Sequence, residues 1–147
     1  WEPIETTITS MQGGGGKRDQ MTAGGLCGFG TLLDPSITTA DNLSGQVLAK
    51  KGELPEVRTE CSIQVNLMKN MVAGDGEEPE TIHPLRNNEM LMVNVATSTS
   101  VGIVKGVEKN NAKLHLRLPI CADKGQRVSL SRRVGARWRL IGHGTIQ

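Results

Sequence analysis

The sequence predicts an all-β protein of the sandwich or small-barrel type. Of its 147 residues, 18 are glycine, and Val, Ile and Thr recur throughout, which favours a turn-rich β protein over a helical one. From residue 89 onward, short stretches of alternating apolar and polar residues follow one another with turn signals between them. Short strands at such close spacing are typical of a sandwich or a small barrel.

The first third of the chain holds weaker strand signals separated by glycines. Residues Glu2–Ser10 alternate in polarity as a half-buried strand does, and Gly13–Gly16 predict a flexible hairpin tip or loop. A phosphate-binding loop is disfavoured there, because no strand–loop–helix pattern with Gly-Lys-Ser/Thr follows. Residues Ala23–Leu33 predict a buried strand, entered through a tight turn at Gly24 and Gly25.

A linker separates this region from the rest of the chain. Asp34–Ser36 predicts a turn, and Gln46–Ala49 predicts a short strand. The stretch Lys50–Pro55 (KKGELP) has the composition of a linker. We therefore place the domain boundary inside it, with one domain over residues 1–51 and a second over residues 52–147.

Six strands are expected in the second domain. In the first, Val57–Leu67, the apolar residues share one parity and therefore one face. Residues 74–88 are polar and predict a long loop, and Asn110–Asn111 predicts a hairpin turn. The other strands are expected at Met90–Val95, Val101–Val107, Lys113–Leu118, Arg127–Val134 and Trp138–Ile146. In the Lys113–Leu118 strand, all three leucines point away from the basic face.

Charge is distributed unevenly along the chain. The net charge is +2, but residues 101–147 carry +8, because ten Lys or Arg oppose only Glu108 and Asp123, and residues 1–100 therefore carry −6. A basic half of this kind suggests a surface that meets a polyanion. A solvated charged rim explains the same composition, so charge alone leaves both interpretations open.

The sequence offers no recognisable catalytic or metal-binding set. Cys27, Cys61 and Cys121 are odd in number and contain no CxxC pair, so we expect free thiols in a reducing, cytoplasmic setting and no metal site. A nucleophile pair of Cys121 with His143 has no local signature, and an inert thiol is favoured. The chain has no signal peptide and no long apolar span, which argues against a membrane.

The most suggestive residues are basic. Four arginines flank Trp138 within eight residues. A planar guanidinium donates two hydrogen bonds to one phosphate, and an aromatic side chain among arginines stacks on a base. We predict an RNA- or partner-facing basic patch made of Arg117, Arg132, Arg133, Arg137 and Arg139. A tryptophan in an alternating strand is more often a core residue, and this interpretation of Trp138 is favoured over base stacking.

Two long stretches resemble the gamma subunit of archaeal and eukaryotic translation initiation factor 2. Residues Ala23–Val57 (AGGLCGFGTLLDPSITTADNLSGQVLAKKGELPEV) are similar to the end of that family's second domain, which reads PGGL-x-G-x-GT-x-x-DP-x-x-x-x-AD-x-x-x-GQVL. Residues Ser98–Ile146, which close on SRR followed by WRLIG-x-G, resemble its third domain. Ala23 stands where the family has proline, and His143 stands where it has an aromatic residue.

The resemblance implies two small β-barrels of the translation-factor type, the first of them incomplete. It also implies that the chain is a piece of a longer GTPase, whose GTP and Mg²⁺ bind an upstream domain. No GKT, DxxG or NKxD segment occurs here, so we expect no cofactor and no catalytic residue in this piece. The loop of Gly24, Gly25, Leu26 and Gly28 corresponds to a contact for the tRNA end, although a tight turn alone explains the glycines.

In function, the resemblance implies delivery of initiator methionyl-tRNA to the small ribosomal subunit. The alpha and beta subunits of the same factor are the implied protein partners. The alternative is a protein-docking or assembly module of a related translational GTPase, such as the selenocysteine-specific elongation factor, without direct RNA contact. The basic patch would then meet an acidic protein, such as a partner subunit or an assembly chaperone.

Overall fold

The computed structural model describes residues 2–72, 78 and 80–147, and these form nine β-strands and one helix of four residues. The elements are β1 (Ile8–Gly13), β2 (Gly16–Lys17), β3 (Gly28–Thr31), α1 (Pro35–Thr38), β4 (Val57–Leu67), β5 (Met90–Val95), β6 (Ser98–Glu108), β7 (Asn111–Cys121), β8 (Arg127–Val134) and β9 (Arg137–Ile146). The predicted all-β class is confirmed. The chain divides into two compact units, Trp1–Leu43 and Ser44–Gln147.

The first unit is a three-stranded antiparallel sheet in the order β2-β1-β3. The glycine run forms the predicted hairpin tip, because Gly13 pairs with Gly16 across the turn between them. The predicted strand over Glu2–Ser10 begins only at Ile8. The buried strand expected over Ala23–Leu33 is wrong in two respects: only Gly28–Thr31 is a strand, and none of the described residues of this unit is buried. A single layer of three strands has no second layer to bury its faces.

The turn predicted at Asp34–Ser36 is the start of helix α1. Asp34 caps the helix, and its carboxylate accepts a hydrogen bond of 2.8 Å from the backbone N–H of Ser36. Pro35 opens the first turn, where its missing N–H leaves no partner unsatisfied. The hydrogen bonds from Ser36 lower the pKa of Asp34, so the cap stays ionised to a lower pH than a free aspartate would.

The second unit is a closed barrel of six antiparallel strands in the order β4-β7-β6-β5-β8-β9, and β9 pairs back with β4. Strands β4, β5 and β8 have the predicted bounds. Inward-facing residues alternate with outward-facing ones, as in Leu91, Val93 and Val95 of β5. Residues from all six strands fill the barrel, among them Ile63, Leu91, Val104, Leu114, Leu130 and Ile141.

Strand β7 departs from the predicted alternation. Leu114 and Leu116 are buried as expected, but Leu118 is 53% exposed and Ile120 is buried instead. The cause is a register shift, since Ile120 pairs with Arg58 of β4 whereas His115 already pairs with Glu60. Extra β7 residues therefore bulge outward before Ile120, and Pro119, which has no N–H to give to a ladder, lies among them.

The segment from Ser44 to Glu56 contains no strand, so the strand predicted at Gln46–Ala49 is wrong. It is instead held to the barrel by single hydrogen bonds. The hydroxyl of Ser98 donates to the carbonyl of Gly45, and the thiol of Cys121 donates to the carbonyl of Pro55 over 3.0 Å. The predicted boundary between residues 51 and 52 falls within this segment, and the domain assignment stays a prediction.

Two further predictions concern other segments of the chain. Part of the loop predicted over residues 74–88 lies outside the described residues. The turn between β6 and β7 occupies Lys109 and Asn110, one residue earlier than predicted. In the described part of the chain, no helix has the length and apolarity needed to cross a bilayer.

Candidate RNA and partner interface

The glycine loop before β3 presents bare backbone to solvent. Gly24 and Gly25 have φ angles of +118° and +74°, a region that side chains rarely enter. A Cβ built on either glycine meets no atom within 4 Å, so no packing contact requires a glycine there. Leu26 follows with 93% of its surface exposed. Gly28 begins β3 opposite Gln12 of β1.

A shallow depression of about 390 Å³ lies between this loop and the β1–β2 hairpin. It is lined by residues of the two glycine-rich turns and the segment that joins them: Gly13, Gly14, Arg18, Gln20, Met21, Thr22, Gly24, Gly25, Leu26 and Cys27. The guanidinium of Arg18 donates a hydrogen bond of 2.9 Å to the carbonyl of Gly14, which holds a positive charge at the edge of the depression. Sequence reasoning missed Arg18; its signal was a cation directly after a glycine hairpin.

The β8–β9 hairpin divides the four clustered arginines between its two faces. Arg132 lies opposite Arg139, and Arg133 lies opposite Trp138. Because side chains alternate along a strand, Arg132 and Arg139 point to the same side as the barrel interior, whereas Arg133 and Trp138 point outward. A sequence cluster of four arginines therefore does not form one surface.

Arg132 is used inside the protein. Its guanidinium forms a bidentate ion pair with Glu89, in which Nε donates to one carboxylate oxygen and Nη2 donates to the other. Nη1 donates to the carbonyl of His83 over 3.0 Å, and Nη2 also contacts the carbonyl of Pro84. The side chains of Arg132 and Glu89 are each only 17% exposed. All three nitrogens of the Arg132 guanidinium donate to groups of the protein itself, so we leave Arg132 out of any surface for RNA.

The remaining hairpin arginines are more accessible. Arg137 is exposed beside the turn, and Arg133 is exposed with its Nε donating over 3.3 Å to the carbonyl of Gly135. Arg139 is half-buried, and its Nη1 donates to the carbonyl of Val72 over 3.3 Å. The accessible positive charge of this region is therefore carried mainly by Arg133 and Arg137.

Arg117 lies outside the β8–β9 hairpin. It belongs to β7, which is three strands away from β8 in either direction around the six-stranded ring. The predicted five-arginine patch is accordingly divided in space. Trp138 also differs from expectation: it is half-buried on the outer face of the hairpin and does not belong to the buried core.

The thiols and histidines do not assemble a reactive pair. Cys121 pairs with Val57 at the start of β4, whereas His143 pairs with Asn66 near its end, a separation on the order of 30 Å along an extended strand. Burial in the barrel raises the pKa of the Cys61 thiol to about 11, which keeps it protonated and unreactive at neutral pH. The inert-thiol interpretation of Cys121 fits its hydrogen bond to Pro55.

The glycine run does not fit a nucleotide phosphate. Gly13–Gly16 closes a β-hairpin and leads into β2, whereas a phosphate-binding loop leads into the N-terminus of a helix. Among the residues that the structure describes, no three His, Cys, Asp or Glu side chains gather as metal ligands would.

Comparison with known proteins identifies the family. A family model described as "Initiation factor eIF2 gamma, C terminal" matches residues 59–146, which include every barrel strand from most of β4 onward. The chain belongs to the initiation factor 2 gamma-subunit family. The SRR and WRLIG-x-G motifs of this family are the β8–β9 hairpin that closes the barrel onto β4.

Curated relatives extend the similarity over the entire chain. The translation initiation factor 2 subunit gamma of Methanococcus aeolicus is 49% identical over 147 residues, and that of Methanothermobacter thermautotrophicus is 47% identical over the same length. The protein of Haloquadratum walsbyi is 44% identical. In each case all of this chain is covered, but it spans only 35% to 36% of the relative's length.

Proposed function

We propose that this chain is the tRNA- and partner-binding portion of an initiation factor 2 gamma subunit, and that it does no chemistry itself. The observation that supports this most directly is the open glycine loop before β3. Bare backbone at Gly24 and Gly25 lets a ligand approach closely, the exposed Leu26 offers an apolar contact, and the charge of Arg18 suits a phosphate.

In this proposal the loop holds the aminoacyl end of initiator methionyl-tRNA. Terminal nucleotides of a tRNA are single-stranded, and proteins recognise such ends by backbone and apolar contacts to unstacked bases together with cations on the phosphates. The depression beside the loop carries all of these features. The longer protein would supply the GTP- and Mg²⁺-binding domain, and the alpha subunit, the beta subunit, the small ribosomal subunit and an assembly chaperone would be its partners in the cytoplasm.

Replacing Gly25 by alanine is expected to weaken binding of initiator methionyl-tRNA to the 147-residue chain about tenfold. The backbone must leave φ +74° to relieve the new side chain, and this moves the N–H groups of the loop. Gly52→Ala is the matched control, because Gly52 also has a positive φ and open space around its Cβ position. Filter binding or fluorescence anisotropy with charged and uncharged tRNA measures the effect. Equal affinities for the two variants would contradict a tRNA contact at the loop.

The outward-facing hairpin arginines are proposed to contact RNA phosphates. We expect the double variant Arg133→Ala, Arg137→Ala to bind RNA more weakly and to reduce the slope of log affinity against log salt by about 1.5, since each phosphate contact contributes about 0.7 to 0.9. The control is the double variant Lys113→Ala, Lys124→Ala, which removes the same amount of positive charge from β7 and from the turn before β8. An unchanged salt slope in the arginine variant contradicts the RNA contact.

The second candidate function is a protein-docking module that has no RNA contact, and the exposed positive charge of Arg133 and Arg137 favours it equally. It is tested with the same two double variants in a pull-down with the alpha subunit. Loss of alpha-subunit binding in the arginine variant, together with an unchanged salt slope for RNA, selects docking. Loss of RNA binding alone selects the tRNA-binding function.

A further inference from the structure

The outer wall of the barrel carries an apolar stripe beside Arg133, an arginine that the proposed RNA contacts also use. Met90 pairs directly with Ile103, and Met92 pairs with Val101 across β5 and β6. These four residues, called the outer stripe below, alternate with the fully buried Leu91 and Val93 and therefore face outward. Met90 is 50% exposed, and the other three are half-buried.

Positive charge borders the outer stripe on both sides. Arg117 of β7 follows Leu116, the partner of Gly102, and so lies beside Val101. On the opposite side, Ser131 of β8 pairs with Met92, and Arg133 lies two residues further along the same face, beside Met90. Both arginines are exposed. The stripe is thus flanked by one accessible guanidinium on each neighbouring strand.

Acidic side chains are scarce on the strands of this wall. Strands β5, β7, β8 and β9 contain no Asp or Glu, and β6 has only Glu108 at its far end. Glu60 of β4, the strand beyond β7, lies within hydrogen-bond distance of His115, with 3.2 Å between Oε1 and Nδ1. No carboxylate on these strands lies beside Arg117 or Arg133.

We propose that the outer stripe and its two arginines are a docking site for an acidic amphipathic protein segment. Apolar side chains of the segment pack on the stripe, and its carboxylates pair with Arg117 and Arg133. Methionine suits such a surface because its flexible thioether adapts to the shape of a partner. RNA fits the stripe itself less well, since bases stack on aromatic rings and the stripe is made of Met, Val and Ile; the aromatic ring of this face, Trp138, lies beyond Arg133. The site also gives a role to Arg117, which is not part of the β8–β9 hairpin.

The test uses methionine-methyl NMR and peptide selection with the 147-residue chain. Peptides selected from a random library on the immobilised chain are expected to combine Asp or Glu with large apolar residues. A selected peptide should shift the methyl signals of Met90 and Met92, whereas Met68 and Met71 report on the interior of the barrel and should stay unchanged. The chain has only six methionines, so each signal can be assigned by substitution.

Substitutions then distinguish a specific contact with the outer stripe from nonspecific effects of added negative charge. Val101→Asp should lower the affinity for the selected peptide by about tenfold or more, and Arg117→Glu should lower it several-fold. The controls are Val107→Asp, which lies on the same strand and is 37% exposed, and Lys124→Glu, which makes the same charge change in a turn. Should Val101→Asp fail to fold, Met90→Glu carries the test, because that side chain is already half exposed.

Several results would overturn the proposal. One is a set of selected peptides with no excess of acidic residues, and another is binding to Val101→Asp as tight as to the parent chain. A larger shift of Met90 and Met92 with single-stranded oligouridine than with any peptide would assign the wall to RNA. Shifts of the same two signals on dilution of the chain alone would show that a second copy covers the stripe. Each of these outcomes is independent of the loop at Gly24 and Gly25.

Discussion

Replacing Gly142 by alanine is expected to destabilise the barrel by about 3 kcal/mol or more. Strand β9 pairs with β4 at this point, with Gly142 opposite Leu67. A Cβ on Gly142 would lie 2.9 Å from the Cα of Leu67 and 3.1 Å from the carbonyl carbon of Asn66, and it would overlap the carbonyl oxygen of Asn66. These are backbone atoms and cannot rotate away, so the two strands that close the barrel must separate. Urea unfolding followed by circular dichroism measures the loss.

Gly106→Ala provides the control for the strand context. Gly106 is also in a strand, but a Cβ built on it meets no atom within 4 Å. Its substitution should change stability by no more than about 0.5 kcal/mol. If both variants unfold at the same urea concentration, the close approach of β9 to β4 is not what Gly142 provides. Gly144, the other glycine of the WRLIG-x-G motif, faces the barrel interior, where its Cβ would meet Ile63 and Val128.

The close contact of Gly142 with the backbone of β4 explains why the WRLIG-x-G motif has a glycine at this position. The spacing of Gly142 and Gly144 suggested nothing beyond resemblance, because the atoms that exclude a side chain belong to β4, more than seventy residues earlier. Periodicity within a strand is local and could be read directly. Strands β4, β5 and β8 accordingly have the predicted bounds. Contacts between strands that are distant in sequence can be identified only once the order of strands around the barrel is known.

The same distinction explains the wrong predictions. Alternation shows which residues share a face, but it does not show whether a second layer covers that face, and so the expected buried strand near Phe29 is an exposed edge of a single sheet. The outward bulge of β7 exposes Leu118, although Leu116 and Ile120 on either side of it are buried and keep the same parity. The arginines cluster near Trp138 in sequence, but the alternation of side chains along β8 and β9 separates them in space. Arg132 lies inside the protein, Arg139 is half-buried, and Arg133 and Arg137 are exposed.

Arg132 shows most clearly how a predicted surface residue becomes a structural one. Its partners are Glu89 and the carbonyls of His83 and Pro84, all more than forty residues away in sequence. Arg132 reaches back from β8 and fixes the segment that leads into β5. Glu89 is held in turn, because it also accepts a hydrogen bond of 3.0 Å from the backbone N–H of Arg86.

Arg132→Met is therefore expected to destabilise the barrel by about 3 kcal/mol. The substitution keeps the length and apolar character of the side-chain stem, but it leaves the largely buried carboxylate of Glu89 without its cation and two carbonyls without a donor. Thermal and urea unfolding measure the loss, and hydrogen exchange should show faster opening at residues 83–89. Removing both partners in Arg132→Met, Glu89→Met should cost less than Arg132→Met alone, since no unpaired charge remains.

Arg133→Met is the matched control, one residue away on the same strand. Its guanidinium is exposed and makes one long hydrogen bond within the hairpin turn, so the loss of stability should stay below about 0.5 kcal/mol. The two neighbouring arginines thereby distinguish stability from recognition. Arg132→Met should lower the free energy of unfolding and leave the salt slope of RNA binding unchanged where the protein stays folded. Arg133→Met should reduce the salt slope and leave the free energy of unfolding nearly unchanged. Equal destabilisation by the two variants would contradict the internal role of Arg132, and its guanidinium would then return to the candidate RNA surface.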